Sequence, residues 1–399
     1  MPQDSADLVI IGAGTIGGWA SVFAAEQDAG RIIVLDAGTA GAGASSRAAG
    51  IVRSQGGSTT AVDLARWTMA FYRGQHDRYG IDSGFRTLGY LILAFDEADR
   101  IAADERLVMQ REQGLDSRWV DPAEAAALLP VLDPERISGA TYCAEDGAID
   151  PPRNVLAYTV ALKAAGVDLH ERTAATGLRI EGGRVTGVET TAGAIATERV
   201  ILAGGVGQGA LTALTGGPSA PVGGARHQIA VTSPHPALAG DPLPMAFELA
   251  TGLYWRQEEG GILFGMSNPL EEPGEARAVD WDNLSAIRTR LGELVPATRG
   301  LDLRKVWAAT IDYTPDHLPI LGSALGPGRE PLGGVTVASP GGHGMMWGPG
   351  VAKIAADLAL HGTSEVTDAS FLGPDRFDEH GASTLATDPI ALPFPETVG

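Results

Sequence analysis

Residues 7–17 read DLVIIGAGTIG, and this stretch decides the fold class. Residues 8–11 are uninterrupted and apolar, which predicts a short strand buried in a parallel sheet. Glycines follow at 12, 14 and 17, and the apolar spacing over 15–27 predicts a helix. Residues 31–36, RIIVLD, predict a second buried strand. A strand, a glycine turn, a helix and a strand in this order form a βαβ unit, so we expect a parallel sheet with a right-handed connection.

The glycine turn also predicts a bound dinucleotide. Gly12 permits a tight turn, Gly14 lets a pyrophosphate approach the backbone, and Gly17 lets the helix pack closely on the strand. The helix N-terminus offers unpaired N–H groups to an anion. Asp36 ends the second strand 24 residues after Gly12, where its carboxylate can bind a ribose hydroxyl. The contacts predicted in this part of the chain are Gly12, Gly14, Thr15, Ile16, Gly17, Asp36 and Ala37.

The composition excludes several classes of partner. The chain carries 29 basic and 49 acidic residues, a formal net charge of −20, which disfavours nucleic acids and anionic membranes. A single cysteine, Cys143, excludes an internal disulfide and a cysteine-based metal centre, and it is compatible with a reducing compartment. Residues 8–25 are uncharged, but four glycines interrupt them and acidic residues precede them, so we expect neither a signal peptide nor a membrane anchor. We expect a cytoplasmic protein without a metal ion.

A second glycine turn favours FAD over NAD. Residues 335–338 predict a buried strand, Gly341-Gly342-His343-Gly344 forms the turn, and residues 349–361 predict a helix. Two such turns, far apart in the chain, suit a cofactor that has a nucleotide end and a ring end. The N-terminus of the later helix can face the pyrimidine edge of a reduced flavin, which carries negative charge. We therefore expect FAD.

These patterns predict an α/β (α+β) fold of two domains. Buried strands at the start, the middle (199–203) and the end of the chain indicate a discontinuous Rossmann-like FAD-binding domain. Residues 222–233 and 252–267 have the pattern of antiparallel strands, which we assign to an inserted substrate domain flanked by helices. The predicted bounds are 1–80, 145–220 and 305–365 for the FAD-binding domain, 81–144 and 221–304 for the substrate domain, and 366–399 for a C-terminal surface tail.

Further stretches of sequence, in their order and spacing, resemble one family. They are residues 43–50 (GASSRAAG), 89–91 (GYL), 145–147 (EDG), 150–151 (DP), 202–205 (LAGG), 314–316 (TPD), 319–322 (PILG) and 341–345 (GGHGM). Together with the N-terminal glycine turn, they make the chain similar to the D-amino-acid oxidase (DAO) superfamily of FAD-dependent oxidoreductases, on its glycine/sarcosine oxidase side. Within it, the chain looks most like the beta subunit of multimeric sarcosine oxidase and the dye-linked proline dehydrogenases.

The resemblance implies an enzyme that takes a hydride from a C–H bond next to nitrogen, giving an imine that water hydrolyses. The substrate would be a small secondary or tertiary amine or an amino acid, and the electron acceptor O2 or another oxidant. Residues 43–50 would run past the pyrophosphate and under the flavin ring. The further FAD contacts that the resemblance implies are Ser45, Ser46, Arg47, Ala49, Gly50, Ala175, Ala203, Gly204, Gly205, Gly341, Gly342, His343, Gly344 and Met345.

The sequence also departs from the family. The family members that bind FAD covalently attach it through a cysteine, at a position that falls near Ala309 in this sequence. We therefore expect non-covalent FAD. They also place a substrate-binding lysine just after the Gly-His-Gly turn, where this chain has Met346. Residues 262–267 contain no lysine either, although the family uses one about there to activate oxygen. Both an amino-acid substrate and oxygen as acceptor are therefore open.

Candidate substrate-binding and catalytic residues lie in three places. Arg53 follows the segment under the flavin and matches the family's carboxylate-binding arginine. Tyr254 and Arg256 are two residues apart on a predicted strand, so they share a face that points either to the cavity or to solvent. His227 lies on another strand of the inserted domain, with either a structural or a pocket role.

Two more candidates follow the second glycine turn. We expect His343 to be a hydrogen-bonding partner of the flavin or of its own loop, rather than a base. Met346, with Met345 and Trp347, forms either an apolar pocket wall or part of the core.

Three other functions remain open on the sequence alone. The same fold can oxidise a hydroxy acid or another alcohol. The chain can instead be a flavin subunit that passes electrons to a companion protein, and a homo-oligomer is equally compatible. A nucleotide-binding protein without redox function is the remaining alternative, and it would purify colourless.

Overall fold

The computed structural model describes residues 4–275, 278–390 and 392–394. Its α-helices are α1 (Thr15–Ala25), α2 (Thr59–Tyr79), α3 (Glu97–Glu112), α4 (Pro122–Leu128), α5 (Pro151–Ala164), α6 (Gln208–Ala213), α7 (Trp281–Leu294) and α8 (Gly348–His361). None of the helices within these residues has the length and apolar character needed to cross a membrane.

The strands lie between and around these helices. They are β1 (Asp4–Ser5), β2 (Leu8–Ile11), β3 (Ile32–Leu35), β4 (Ile51–Val52), β5 (Arg86–Thr87), β6 (Tyr90–Ala94), β7 (Ser117–Val120), β8 (Gly139–Cys143), β9 (Gly147–Ala148), β10 (Asp168–His170), β11 (Ala175–Glu181), β12 (Arg184–Thr190), β13 (Gly193–Ala196), β14 (Val200–Leu202), β15 (Gly223–Thr232), β16 (Met245–Glu248), β17 (Tyr254–Glu258), β18 (Gly261–Ser267), β19 (Leu303–Tyr313), β20 (Ile320–Leu325) and β21 (Pro331–Ser339).

A ten-stranded sheet carries the first glycine turn. Its order is β1-β13-β12-β21-β14-β2-β3-β10, with β11 paired to β12 and β20 to β21. Every neighbouring pair from β12 to β10 along this path is parallel. The predicted βαβ unit is β2, α1 and β3, and the two later buried strands are β14 and β21 of the same sheet. The predicted mixed α/β fold is confirmed.

Helices α1, α8, α2 and α5 cover one face of this sheet. In α1 every residue from Thr15 to Ala24 is buried. Trp19 lies at the centre of an aromatic cluster: its ring meets Phe71 edge-on at 4.8 Å, and its indole N–H donates to Asn154 Oδ1 at 3.0 Å. A buried aromatic cluster of this kind leaves the helix little freedom, so the direction of its N-terminus is well determined.

The second sheet has eight strands in the order β19-β15-β18-β17-β16-β6-β8-β7. All pairs are antiparallel except β16 with β6. Helix α7 packs on one face, where Ile287 and Leu291 meet Trp255 and Phe264 in a buried cluster. The strands predicted at 222–233 and 252–267 are β15, β17 and β18, as expected.

Strand pairing bears on one of the proposed domain boundaries. Strand β19 pairs with β15 along almost its whole length, from Leu303 opposite Thr232 to Tyr313 opposite Gly223. A boundary at residue 305 would cut this ladder of hydrogen bonds. We therefore keep the division into two domains as a proposal, and let the FAD-binding part resume after Tyr313.

The segment after residue 365 differs from the predicted surface tail. Leu372, Phe377 and Ile390 are at most 2% exposed. Arg376 forms a buried ion pair with Asp316, with Nε and Oδ2 2.7 Å apart. Its many Asp, Pro, Gly and Thr residues suggested a solvated tail, but scattered apolar residues and one arginine suffice to hold it on the fold. The described part of this segment, residues 366–390 and 392–394, is thus held on the fold at several points. The C-terminal surface tail stays a proposal, and its residues 391 and 395–399 lie outside the described residues.

Candidate active site

A cavity of about 460 Å³ opens at the carboxyl ends of the parallel strands. Gly12 follows β2, Asp36 follows β3, Ala203 follows β14 and Gly342 lies just after β21, and all four line it. This edge of an open parallel sheet is where α/β folds bind their ligands. The antiparallel sheet forms the opposite wall.

The cavity brings most of the predicted site residues together, although they come from stretches spread over the whole chain. Those that line it are Gly12, Gly14, Thr15, Ile16, Asp36, Ser45, Arg47, Ala49, Gly50, Arg53, Ala203, Gly204, Gly205, His227, Tyr254, Gly342, His343, Gly344, Met345 and Met346.

Six predicted residues do not line it: Gly17, Ala37, Ser46, Ala175, Gly341 and Arg256. A Cβ on Gly17 would lie 1.8 Å from the carbonyl oxygen of Gly12, so this glycine serves helix packing, as predicted from the motif. Gly341 has a φ of +61°, and a Cβ there would lie 2.6 Å from the Leu318 carbonyl oxygen. It therefore shapes the turn from behind rather than facing the cavity.

Arg256 is the clearest correction among the substrate candidates. It is buried, at 5% exposure, but its guanidinium is already engaged. Nε donates to the Ala49 carbonyl oxygen at 3.1 Å, and Nη1 forms an ion pair with Glu258. Its charge is neutralised within its own strand, so Arg256 braces the segment that passes under the cavity.

The nucleotide end of the cavity is mainly backbone. Helix α1 begins after Gly14, which has no side chain to cap the first N–H groups of the helix. Ser45 reaches the Thr15 amide, which donates to Ser45 Oγ at 3.0 Å. Asp36 accepts from the Ala13 amide at 2.8 Å and from the Gly38 amide at 2.7 Å, so its carboxylate is held at the cavity edge. Open N–H groups at a helix N-terminus are suited to phosphate.

The second glycine turn places His343 in the wall. The His343 ring lies 4.1 Å from the Trp347 ring, and its Nδ1 lies 3.3 Å from the Gly341 carbonyl oxygen. Its Nε2 is buried and has no partner among the described residues. Burial, with a smaller contribution from the positive charge of Arg53, lowers the pKa of His343 to about 3, so the ring is neutral.

Three polar groups on the antiparallel sheet form a hydrogen-bonded row. His227 Nε2 lies 2.5 Å from the Tyr254 hydroxyl, and His227 Nδ1 lies 2.8 Å from Ser267 Oγ. Burial lowers the pKa of His227 to about 4 and raises the pKa of Tyr254 far above its usual value. Both groups are neutral at physiological pH, and both line the cavity.

Arg53 is a buried cation that lines the same cavity as His227 and Tyr254. It is 4% exposed, and its Nη1 and Nη2 donate to the carbonyl oxygens of Gln55 and Ile390. No carboxylate within the described part of the chain lies at ion-pair distance from it. Asp146 holds the neighbouring backbone instead, accepting from the Ser54 amide at 2.6 Å and from Gln55 Nε2 at 3.1 Å. A buried guanidinium with no carboxylate at ion-pair distance is chemically suited to bind the carboxylate of a ligand.

Residues 7–358 match the model of a family described as FAD-dependent oxidoreductases, DAO. The chain belongs to this family. The predicted resemblance is confirmed, and FAD is the cofactor of its members.

Three relatives show how far the similarity extends. The 4-methylaminobutanoate oxidase (formaldehyde-forming) of Paenarthrobacter nicotinovorans is 28% identical over 93% of this chain and 46% of its own length. Sarcosine oxidase subunit beta of Rhodobacter capsulatus is 26% identical over 84% of this chain and 79% of its own. The crystal structure of L-proline dehydrogenase from P. horikoshii has the same fold, with a TM-score of 0.86 and 24% identity over 94% and 98% of the two chains. The chain spans less than half the length of the first curated relatives that it matches.

The cavity of this DAO-family chain fits FAD on two observations. A Cβ on Gly12, where φ is +109°, would lie 2.2 Å from the Ala203 carbonyl oxygen, so the turn excludes any side chain beside the open helix N-terminus. The partnerless Nε2 of His343 marks a second polar site at the far end. Ala309 lines the cavity and Cys143 does not, so non-covalent FAD stays our prediction.

Several lining residues were not named as site residues by the sequence analysis, and Tyr90, Phe247 and Leu392 are three of them. Tyr90 begins β6, and its place in the stretch 89–91 that resembles the family was the available signal. Phe247 is on β16, for which no pattern was recognised. Leu392 had no signal, because the composition around it suggested solvent exposure.

Proposed function

We propose that this chain oxidises a small secondary or tertiary amine that also carries a carboxylate, at a C–H bond next to the nitrogen. The observation that carries the proposal is Arg53, a buried cation facing the cavity with no carboxylate partner in the described residues. The names of two relatives support it, since 4-methylaminobutanoate and sarcosine each contain an N-methylated amine and a carboxylate.

FAD, when bound, supplies the acceptor for the hydrogen and the electron pair of the C–H bond. Arg53 has N–H groups beyond the two that bind the Gln55 and Ile390 carbonyls, and these would hold the substrate carboxylate. The carboxylate fixes the position of the carbon that reacts, which is the main contribution a binding group makes to rate.

Tyr254 and His227 would orient the nitrogen. With the Tyr254 hydroxyl donating to neutral His227, the phenol oxygen is left as an acceptor for the N–H of a secondary amine. A neutral pair does not stabilise an ammonium group, so it favours binding of the unprotonated amine, whose lone pair is needed for imine formation. Water then hydrolyses the imine to an amine and a carbonyl compound.

Met346 lines the cavity where related oxidases place a lysine. A thioether cannot form an ion pair with a carboxylate. Arg53 would therefore bind the substrate carboxylate without a lysine beside it. This arrangement suits a substrate whose carboxylate reaches Arg53 and whose remainder meets apolar walls such as Phe247, which lies 5.8 Å from the Arg53 guanidinium.

Anaerobic titration of the FAD-loaded protein tests the proposal. We expect sarcosine, 4-methylaminobutanoate, dimethylglycine or proline to bleach the flavin absorption. The matched controls are N-methylamines of the same length without a carboxylate, which should bleach it far more slowly. Bleaching by hydroxy acids alone would replace this proposal with alcohol oxidation on the same fold, and equal bleaching by the controls would remove the role of Arg53.

A flavin subunit that works with a partner is the second candidate. It is favoured by the similarity to a protein named as one subunit of sarcosine oxidase, over 84% of this chain. Admitting air after the titration separates an enzyme that reduces oxygen itself from a subunit that passes electrons to a partner. Fast recovery of the flavin absorption indicates an oxidase, and slow recovery indicates transfer to another acceptor. Light scattering on the same sample measures whether the chain is a homo-oligomer.

We also propose a cytoplasmic location. The single cysteine supports it, because disulfides are not part of the fold and a reducing compartment is sufficient. Cell fractionation with an antibody to this chain tests it, and recovery of the protein outside the cytoplasmic fraction would contradict it.

A further inference from the structure

The chain returns to the cavity at its far end. We call residues 388–390 and 392–394 the C-terminal strap. Leu392 lines the cavity, Ile390 is 1% exposed and Phe394 is 7% exposed. These residues lie about 340 positions after Arg53, and Ile390 contacts it directly: Arg53 Nη2 donates to the Ile390 carbonyl oxygen across a sequence separation of 337.

One end of the strap is held by buried polar contacts. Asp316 accepts from Arg376 Nε at 2.7 Å and from Ser383 Oγ at 2.6 Å, which fixes the chain ahead of the strap. The Asp388 amide donates to the Asp316 carbonyl oxygen at 3.1 Å. The Asp388 carboxylate then accepts from Ser58 Oγ at 3.1 Å and from the Ile390 amide at 2.8 Å. These bonds set the direction in which the Ile390 carbonyl points.

The other end is held by aromatic packing. The Phe394 ring stacks on Tyr313 with the centroids 4.8 Å apart and the planes 18° apart. It also lies against the second glycine turn, because a Cβ on Gly342 would lie 2.8 Å from the Phe394 ring. A ring packed on both β19 and this turn keeps Leu392, two residues earlier, at the cavity wall.

We propose that the C-terminal strap is the specificity-determining wall of the substrate cavity. The Ile390 carbonyl occupies one donor of Arg53 and so orients the guanidinium, while the Leu392 side chain limits the length of the acid that fits. This inference rests on the proposed function in taking the ligand to be a carboxylate, and it adds the part of the chain that measures the ligand's size.

Binding of unreactive carboxylates to the FAD-loaded protein tests the strap without any turnover. Acetate, propanoate, butanoate, pentanoate and hexanoate are titrated by calorimetry into the unsubstituted protein, Leu392→Ala, Leu392→Trp and Arg53→Met. The matched control is Leu385→Ala, the same change in the same segment at a half-buried leucine that does not line the cavity.

The expected result is a shift in chain-length preference. In the unsubstituted protein the affinity should stop rising at the length that meets Leu392. In Leu392→Ala it should continue to rise by roughly fourfold per added methylene for about two further groups. Leu392→Trp should have the opposite effect, weakening the longer acids by tenfold or more while acetate binds as before. Leu385→Ala should reproduce the curve of the unsubstituted protein.

Two results would overturn the inference in different ways. Both Leu392 variants could show the same dependence of affinity on chain length as the unsubstituted protein, while Arg53→Met abolishes binding. The proposed role of the strap would then be wrong, and the carboxylate site would stand. If none of the acids binds the unsubstituted protein, both proposals fail. A shifted preference in a protein whose flavin no amine bleaches would leave the strap in place and remove only the proposed reaction.

Discussion

The two ends of the cavity are built in different ways. At the proposed nucleotide end the surface is mainly backbone, where Gly12, Gly14 and the N-terminus of α1 present N–H groups. At the proposed substrate end it is mainly side chains, and two of them are oriented by partners from elsewhere: Arg53 by Ile390, and His227 by Ser267. The first end depends on the absence of side chains, and the second on their presence.

This difference has consequences for substitution. A backbone surface has no room for an added Cβ, so changes there should act on the fold and on FAD together. A side-chain surface can lose one group and keep its shape, so changes there should act on binding and selectivity. The predictions below test that contrast, in order of decreasing effect.

The largest effect is expected for Gly17→Ala, because it should remove bound FAD and with it all activity, in addition to destabilising the fold. The new Cβ would lie 1.8 Å from the Gly12 carbonyl oxygen, so α1 must move away from β2 and the phosphate turn opens. We expect a destabilisation of about 3 kcal/mol or more and the loss of bound FAD. Flavin absorbance per protein and thermal unfolding measure both effects.

The control for Gly17→Ala is Gly74→Ala on α2. A Cβ at Gly74 meets nothing within 4 Å, so this variant should bind FAD normally and gain up to about 1 kcal/mol. A yellow, stable Gly17→Ala protein would contradict the account of the nucleotide end.

The next effect is expected for Arg53→Met. Methionine keeps the apolar stem and removes the buried charge. For a carboxylate-bearing amine the free energy of the transition state should therefore rise by about 4 kcal/mol, which lowers kcat/KM roughly a thousandfold. The same amine without its carboxylate should react as with the unsubstituted protein, and FAD should remain bound. Exposed Arg111→Met is the control, and an equal loss for both substrates would show that Arg53 does not bind the carboxylate.

A third prediction concerns pH and His227. Burial lowers its pKa in the folded protein to about 4, whereas an unfolded chain takes up the proton near 6.5. The stability from burying a neutral ring is therefore full above pH 6.5 and is lost as the pH falls toward 4, by roughly 3 kcal/mol. His227→Gln should flatten this part of the stability curve, measured by chemical unfolding between pH 7.5 and 4.5.

The exposed ring of His380 provides the comparison, since His380→Gln should leave the acid limb unchanged. His227 stays neutral across the pH range of the kinetic measurement. The fall of kcat/KM at acid pH should therefore reflect protonation of the substrate amine, and its midpoint should be the same in His227→Gln. Parallel stability curves for His227→Gln and the unsubstituted protein would show that His227 is not buried neutral.

The smallest effect is expected for Tyr254→Phe. It removes one hydroxyl that contacts His227 at 2.5 Å, so we expect about 1 kcal/mol in stability and roughly a fivefold fall in kcat, with FAD retained. Tyr142→Phe, at a half-buried ring outside the cavity, is the control. A loss of flavin in Tyr254→Phe would mean that the two ends of the cavity are not separable.

Much of the parallel half could be predicted because its signals are local. The strands at 8–11 and 32–35 are continuous apolar runs, and the glycines between them have fixed spacing, so β2, α1 and β3 were recognisable within one short segment. The later turn at 341–344 was recognisable for the same reason. His227 and Tyr254 were placed on strands, but their pairing depends on a register between β15, β18 and β17 that no local pattern contains.

Arg256 and Leu392 show where local reasoning fails. Arg256 shares a strand face with Tyr254, yet Glu258 and the Ala49 carbonyl engage its guanidinium, so only one of the two faces the cavity. Leu392 sits in a stretch with the composition of a solvated tail. Its place at the cavity wall depends on its neighbours Phe394, Asp388 and Ile390, which contact Tyr313, Asp316 and Arg53 far back in the chain.

The sequence by itself therefore determined the family and the cofactor. It also predicted most of the residues that line the proposed nucleotide end, since a tight turn and an open helix N-terminus depend on residues close together in the chain. Only the tertiary structure decided which charged and polar side chains remain available to a substrate. Whether a buried group is free or engaged depends on partners hundreds of residues away. That is why Arg53 and the C-terminal strap meet in the folded protein with no trace of the contact in the linear pattern.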